Sequence, residues 1–480
     1  MNVVQRIARN AGMLLVSRIV SRVLAFFYIM YVARYLGAEG FGILSFALAF
    51  TGMFGIISDL GLSRLIVREV SRDRFLASKY LNNIIVMNCI LAVTTFGLIA
   101  LTINLLDYPA QTVNVVYLIA LSVILNAFSR IFYSIFQAYE KMEYQAIGYV
   151  LGDFLKLPIA LFAIKQGFGI EVFASIYLFV NAVVLAYSFT VLIWHFVKPK
   201  FAVDLAFWKP MLKEAIPFGL SGIFITVYYW IDSIMLSLME GNEIVGWYNA
   251  AYRLIVVLLF IPVALNTTVF PAMSKFYVSS RHSLSLIFRK YFKFMLIISI
   301  PMGVGVTLLA DRGILLIFGE GYTQSIIALK ILIWAPVFIF INAAFVRLFE
   351  SINRQMIVTK ITGVCMIENV VLNLLIIPRF SYIGASITTV ITELTIVVLL
   401  VIFAYRVGYG FKRGEFLAAV SRVAVSSLIM GVFIWKLRDL NLLILVLISS
   451  LLYTSILFIV GGIDKDDIKI FKKVTGKTCE

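Results

Sequence analysis

Apolar runs of about 20 residues recur from one end of this chain to the other, each long enough to cross a hydrocarbon layer of roughly 30 Å. The gaps between them are too short to fold as separate soluble domains. Inside lipid the backbone must satisfy its own hydrogen bonds, so continuous apolar runs of this kind are helices. A spanning barrel would instead alternate polar and apolar residues. The 480 residues are 62% hydrophobic with a mean hydropathy of +1.01, well beyond soluble usage. The chain therefore reads as an all-α polytopic membrane protein.

The pattern predicts spans near 12–33, 42–63, 80–106, 112–136, 146–164, 170–195, 215–238, 246–271, 290–310, 325–346, 357–377, 382–404, 416–436 and 441–462. With about fourteen spans both termini share one side, and that side collects most of the 41 Lys and Arg. "RLIVREVSRDRFLASK" (64–79) and "KDDIKIFKKVTGK" (465–477) supply much of the bias. Both termini are thus expected in the cytoplasm, with the chain in the cell membrane. The net charge of +16 reads as a topology signal, not as a nucleic-acid surface. The basic start followed by an apolar run has the order of a signal peptide. The run is too long and lacks a small-residue cleavage site, so a retained first helix is expected.

Two hexads share the form G-x-E-x-x-G: "GAEGFG" at 37–42 and "GNEIVG" at 241–246, an offset of 204 residues. Each falls between the first and second spans of a six-span set. This predicts two six-helix lobes in a parallel pseudo-two-fold repeat plus two C-terminal helices. The expected boundaries are 1–198 for the first lobe, 209–407 for the second, and 415–480 for helices 13, 14 and the tail. Two such lobes would leave a central cleft for a substrate. Pro158, Pro217, Pro262, Pro301 and Pro336 fall inside predicted spans, where proline kinks or breaks a helix.

Charges inside the spans carry the functional signal. "MLLVSRIVSRVLAFFYIM" (13–30) holds Arg18 and Arg22. A span starting after them would have about 11 residues, roughly 17 Å, too short to cross. Arg22 therefore lies about 15 Å deep, on the same helix face as Arg18. Charges at that depth cost a few kcal/mol, about 2.5–3.5 on insertion scales, and must face protein or water. Arg253 enters span 8 and Arg130 the inner half of span 4. Asp153 and Lys156, three apart in span 5, can pair with each other; Asp232 would face the cleft if span 7 mirrors span 1. Glu368 and Glu393 stand alone in spans 11 and 12, as protonatable coupling sites or as neutral hydrogen-bonded acids. Arg18, Arg22, Arg253 and Arg130 together suggest a cationic site for an anionic, phosphate-bearing substrate, since guanidinium groups bind phosphate through paired donors. A structural ion pair is the competing role for each.

Other chemistry lacks its residues. Cys89, Cys365 and Cys479 are far apart with no CxxC, and His195 and His282 make no metal site, so no metal or cofactor is expected. Gly476-Lys477-Thr478 ends no P-loop, because position 471 is Phe where glycine is required. No nucleophile–base arrangement or large outer loop is present for catalysis, so a transporter is expected and not an enzyme. Nothing in the sequence calls for an oligomer.

"YVARYLGAEGFGILSFALAF" (31–50), "DLGLSRLIVREVSRD" (59–73) and the ending "KDDIKIFKKV" (465–474) resemble the polysaccharide-repeat-unit flippases. These are the Wzx/RfbX-like branch of the multidrug/oligosaccharidyl-lipid/polysaccharide exporter superfamily. The resemblance implies fourteen helices and alternating access around a cationic cavity. It also implies a partner: an oligosaccharide on a polyprenyl or dolichyl (pyro)phosphate, moved to the outer leaflet alongside other glycan-assembly membrane proteins. Lipid II flippases of the superfamily are similar in placing arginines on helices one and eight, where Arg18, Arg22 and Arg253 fall here. Two other readings compete: a proton- or sodium-coupled drug exporter using Asp153, Glu368 or Glu393, and a membrane enzyme of glycan assembly, which the short loops disfavour.

Overall fold

The computed structural model describes residues 3–199, 203–411 and 413–463. These contain fifteen α-helices, two 3-10 turns and no strand. Twelve helical stretches are long and apolar enough to cross a membrane. Two of these hold a pair of spans each. Val3–Phe54 (α1) has 52 residues, about 78 Å if continuous, and breaks at Gly37, where φ is 68°. Gln355–Arg406 (α13) also has 52 residues and breaks at Ser381, with φ 51°. Counting each half gives the fourteen spans expected from the apolar runs.

The contacts divide the chain into two compact units, residues 1–249 and 250–480. The first comprises α1, α2 (Leu62–Arg72), α3 (Ala77–Leu105), α4 (Ala110–Ala138), α5 (Met142–Lys165), α6 (Ile170–His195), α7 (Leu205–Glu240) and the start of α8 (Asn242–Leu258). Within it α4 packs most extensively on α6, and α1 on α5. Phe46, Phe136 and Phe173 are fully buried. Lipid is as apolar as these side chains, so close packing and interhelical hydrogen bonds hold such a bundle together, not escape from water. The Asn181 amide donates to the Ser122 hydroxyl at 2.6 Å and ties α6 to α4, a contact worth about 0.6 kcal/mol in membrane bundles.

Short α2 is amphipathic: Leu62, Leu65, Ile66 and Val70 are buried while Arg72 is exposed. Its entry is capped by Asp59, which accepts from the Ser63 N–H at 3.0 Å and the Ser63 hydroxyl at 2.6 Å. Arg68 pairs with Glu69 at 2.6 Å and with Glu214 of α7. Asp204 caps α7 and pairs with Lys79 of α3 at 3.1 Å. The Asn83 carbonyl accepts from the Asp204 N–H and the Trp208 indole. These polar contacts fasten the start of α7 onto α2 and α3.

The second unit holds α9 (Phe260–Ser279), α10 (Arg281–Phe318), α11 (Ser325–Leu332), α12 (Trp334–Ser351), α13, α14 (Arg413–Lys436) and α15 (Leu442–Ile459). One apolar core gathers Phe288, Phe292, Phe340 and Phe345; a second joins α10, α14 and α15 through Leu309, Met430, Ile434 and Tyr453. Two of its prolines coincide with helix ends. A proline cannot donate to the carbonyl four residues before it. The residue four before Pro262 is Leu258, where α8 ends; four before Pro336 is Leu332, where α11 ends. Spans 8 and 10 are thus broken into α8–α9 and α11–α12. Pro158 and Pro301 instead sit inside α5 and α10.

Candidate functional site

Helix α1 carries three strips. At about 100° per residue, Ser17, Ser21, Tyr28 and Val32 share one strip, and all four are buried. Val16, Val20, Val23 and Phe27 form a second, exposed and wholly apolar. Arg18 and Arg22 lie on the third, about 90° from the centre of the buried strip and about 150° from the apolar one, with exposed Ile19 between the two. Both arginines are exposed. Neither has an ion pair or hydrogen bond among the described residues. The spacing of four puts them on one face, which Ala25 and Ile29 of the same helix share.

Beside this strip the buried seam of α1 meets a linked set of polar rings. Tyr28 packs edge-on against Tyr177 at 5.7 Å. The Lys156 ammonium lies 5.2 Å from the Tyr177 ring and 3.0 Å from an Asp153 oxygen. Asp153 and Lys156 therefore do pair, as their spacing allowed. Tyr28 and Tyr177 carry no sequence signal of their own; only the packing of α1, α5 and α6 brings them to that pair. Arg130 on α4 is half-buried, and its Nε has no acceptor among the described residues.

Asp232 is buried, with 6% of its surface exposed, and accepts from the Tyr248 hydroxyl at 2.8 Å. Next to it Asn249 donates to Ser233 at 3.0 Å. Subtracting the repeat offset of 204 from 232 gives 28, so Asp232 occupies the place of Tyr28, in a packed seam, not that of the arginines.

The two hexads meet. A Cβ on Gly42 would lie 1.7 Å from the carbonyl oxygen of Asn242, and a Cβ on Gly246 would lie 1.9 Å from that of Ala38. Residues 38 and 242 are equivalent under the offset, as are 42 and 246. The sixth residue of each hexad thus packs on the second residue of the other, a reciprocal contact open only to glycine. The first glycines, Gly37 and Gly241, have φ of 68° and 96° and turn the chain into it. Ser237 links the same region, sharing a hydrogen bond with Tyr108 and donating to the Asn242 side chain, both at 2.8 Å.

The second unit holds Glu368 and Glu393 together with Arg253, Arg347 and Arg422. Glu393 is buried and accepts from the Asn342 amide of α12 at 2.9 Å. Glu368 is half-buried and accepts from Thr395 at 2.9 Å, which ties the two halves of α13 together. The Asn342 carbonyl and the Thr388 hydroxyl are buried without partners among the described residues. Such oxygens suit a proton or a small hard cation. Arg253 on α8 is half-buried with an unpartnered Nε. Arg347 and Arg422, nearer helix ends, bond to Glu350 at 2.6 Å and to the Gly461 carbonyl at 2.8 Å. No cluster of three metal-ligating side chains occurs among the described residues.

Comparison with known proteins agrees with this architecture. Residues 7–277 match the model of the polysaccharide biosynthesis protein family, and residues 217–375 match the MatE family. The probable low-salt glycan biosynthesis flippase Agl15 of Haloferax volcanii is 24% identical over 473 residues, covering 94% of this chain and 95% of the relative. The capsular polysaccharide biosynthesis protein CapF of Staphylococcus aureus is 22% identical over 397 residues, covering 80% and 96%. Among solved structures, the lipid II flippase MurJ in an inward closed conformation superposes with a TM-score of 0.77 at 18% identity, covering 95% of this chain and 98% of that one. An inward-facing multidrug resistance MATE transporter gives 0.67 at 16% identity, covering 80% and 95%. The chain belongs to the polysaccharide biosynthesis protein family.

Proposed function

We propose that this protein moves an oligosaccharide linked to a polyprenyl or dolichyl (pyro)phosphate from the cytoplasmic to the outer leaflet, as a transporter without catalysis. The observation that carries the proposal is the arginine pair of α1: two exposed guanidinium groups within a predicted span, without protein partners among the described residues, about 90° from the buried seam. A cation so placed needs water or an anion. A phosphate matches the guanidinium donor fork, and low dielectric strengthens the attraction. Arg253 and Arg130, each with a buried unpartnered Nε, are assigned supporting contacts to the same class of anion. The names of the Haloferax and Staphylococcus relatives point to the same substrate class.

In this reading both termini are cytoplasmic, the cell membrane is the site of action, and a monomer suffices. The hexad contact then lies on the outer side and closes it; transport requires Gly42 and Gly246 to part from Asn242 and Ala38. Glu368 and Glu393 are assigned to coupling, taking up a proton or sodium ion. Complementation of a flippase-deficient strain tests the reading. Wild type should restore surface glycan, and Arg22→Ala should leave lipid-linked intermediate on the inner leaflet at normal protein abundance. Full glycan with both Arg22→Ala and Arg253→Ala would reject it.

A further inference from the structure

The second unit contains a small charged recess that the transport reading does not use. Thr307 and Leu308 of α10, Lys330 of α11, Ile434 and Trp435 of α14, and Arg438 after α14 enclose about 200 Å³. Its location is fixed by the chain. Helices α14 and α15 are both spans, and only residues 437–441 join them, so Arg438 stands at a membrane edge. Trp435 is 67% exposed one residue from the helix end, a position that favours amphipathic rings at headgroup level.

The polar side of the recess is held in place. Arg438 pairs with Asp311 of α10, and Arg312 donates to the carbonyls of Arg438 and Leu440, the latter at 2.8 Å. Arg438 is thus the cation that meets Asp311, while Arg312 is taken up by backbone carbonyls and Lys330 lines the recess. The Lys330 ammonium has no ion pair or hydrogen bond among the described residues. The other side is apolar: Ile434 is buried and Leu308 half-buried beneath the indole.

We infer that this recess binds the headgroup phosphate of an anionic membrane phospholipid. Lys330 and Arg438 would face the phosphodiester beside Thr307, whose hydroxyl donates to the Gly303 carbonyl at 2.7 Å, with the first methylenes of an acyl chain on Leu308 and Ile434 under Trp435. A free phosphate would have no use for the apolar floor, and a zwitterionic lipid would bring its own cation against Lys330.

The test uses the full chain, purified in detergent and depleted of lipid, with dioleoylphosphatidylglycerol, dioleoylphosphatidylcholine or glycerol 3-phosphate added in separate arms. Thermal unfolding is followed, together with quenching of tryptophan by phosphatidylglycerol brominated on its acyl chains. Phosphatidylglycerol should raise the melting temperature more than phosphatidylcholine does, and glycerol 3-phosphate should leave it unchanged. Lys330→Gln removes an exposed, unpartnered charge and should fold normally; it should weaken the phosphatidylglycerol effect about fivefold to tenfold in apparent affinity. Trp435→Phe should remove the saturable part of the quenching. An unaltered phosphatidylglycerol response in Lys330→Gln, an equal response to phosphatidylcholine, or the full shift from glycerol 3-phosphate would overturn the assignment.

Discussion

The N-terminal half of α1 and the α12–α13 pair treat charge within predicted spans in opposite ways. In the first, Arg18 and Arg22 are exposed and carry no protein partner among the described residues. In the second, Glu393 and Glu368 are drawn into the bundle and hydrogen-bonded by Asn342 and Thr395. The chemistry explains the difference. A guanidinium keeps its proton at any working pH, so its charge must be met from outside, by water or by an anionic substrate. A carboxyl can give up its charge by taking a proton, so it can remain inside among neutral donors. The repeat does not extend to these residues: the offset of 204 carries Arg18 to Gly222 and Arg22 to Thr226. The glycine contact recurs in both hexads, whereas the arginines do not recur.

The sharpest way to break this comparison is to remove an arginine. Arg22→Ala should lower flipping about a hundredfold, the scale of truncating one partner of a desolvated charge contact, with Arg22→Lys intermediate because it keeps charge but loses the paired donors. Glycan output per molecule of protein is the readout. Next in size is the repeat contact. Gly42→Ala or Gly246→Ala places a methyl inside the van der Waals radius of a carbonyl oxygen and should penalise the closed contact by about 1–3 kcal/mol. Spin labels at Glu39 and Glu243, exposed and equivalent under the offset, should then report a longer separation than in wild type.

A smaller effect separates charge from hydrogen bonding in the second unit. Glu393→Ala leaves the Asn342 amide without its acceptor and should cost about 1–3 kcal/mol. Glu393→Gln preserves an acceptor and should melt close to wild type while abolishing any dependence of transport on proton or sodium. Smallest is the acid limb of stability. The hydrogen bond from Lys79, aided by the Phe207 N–H, holds the exposed Asp204 carboxyl below its usual 3.8. A depressed carboxylate pKa adds stability that is present above 3.8 and is lost as pH falls through the lower, folded value. Wild type should therefore lose slightly more of its melting temperature than Asp204→Asn when pH is lowered through that window.

Much of the fold was legible because membrane spans are local. Apolar length fixed fourteen crossings, Pro262 and Pro336 set the ends of α8 and α11, and the hexads marked the repeat. The Asp153–Lys156 pair was also readable, since it depends on spacing along one helix. Partners distant in sequence were not. Asn342 reaches Glu393 across 51 residues, and Tyr28 meets Tyr177 only because α1, α5 and α6 pack together. Periodicity tells which face is polar but not which neighbour will satisfy it. Asp232 shows the limit: nothing in its local sequence named Tyr248, 16 residues on, as the hydroxyl that donates to it.

The most direct test of the account compares neighbouring positions on α1. With Cys89, Cys365 and Cys479 replaced by Ser, single cysteines at Arg22→Cys and Val23→Cys sit at nearly the same depth, about 100° apart. A membrane-impermeant maleimide should modify the first and spare the second, and lipid-linked oligosaccharide should protect the first. Equal protection of both positions, or modification of Val23→Cys alone, would place the arginine strip against lipid and contradict the account.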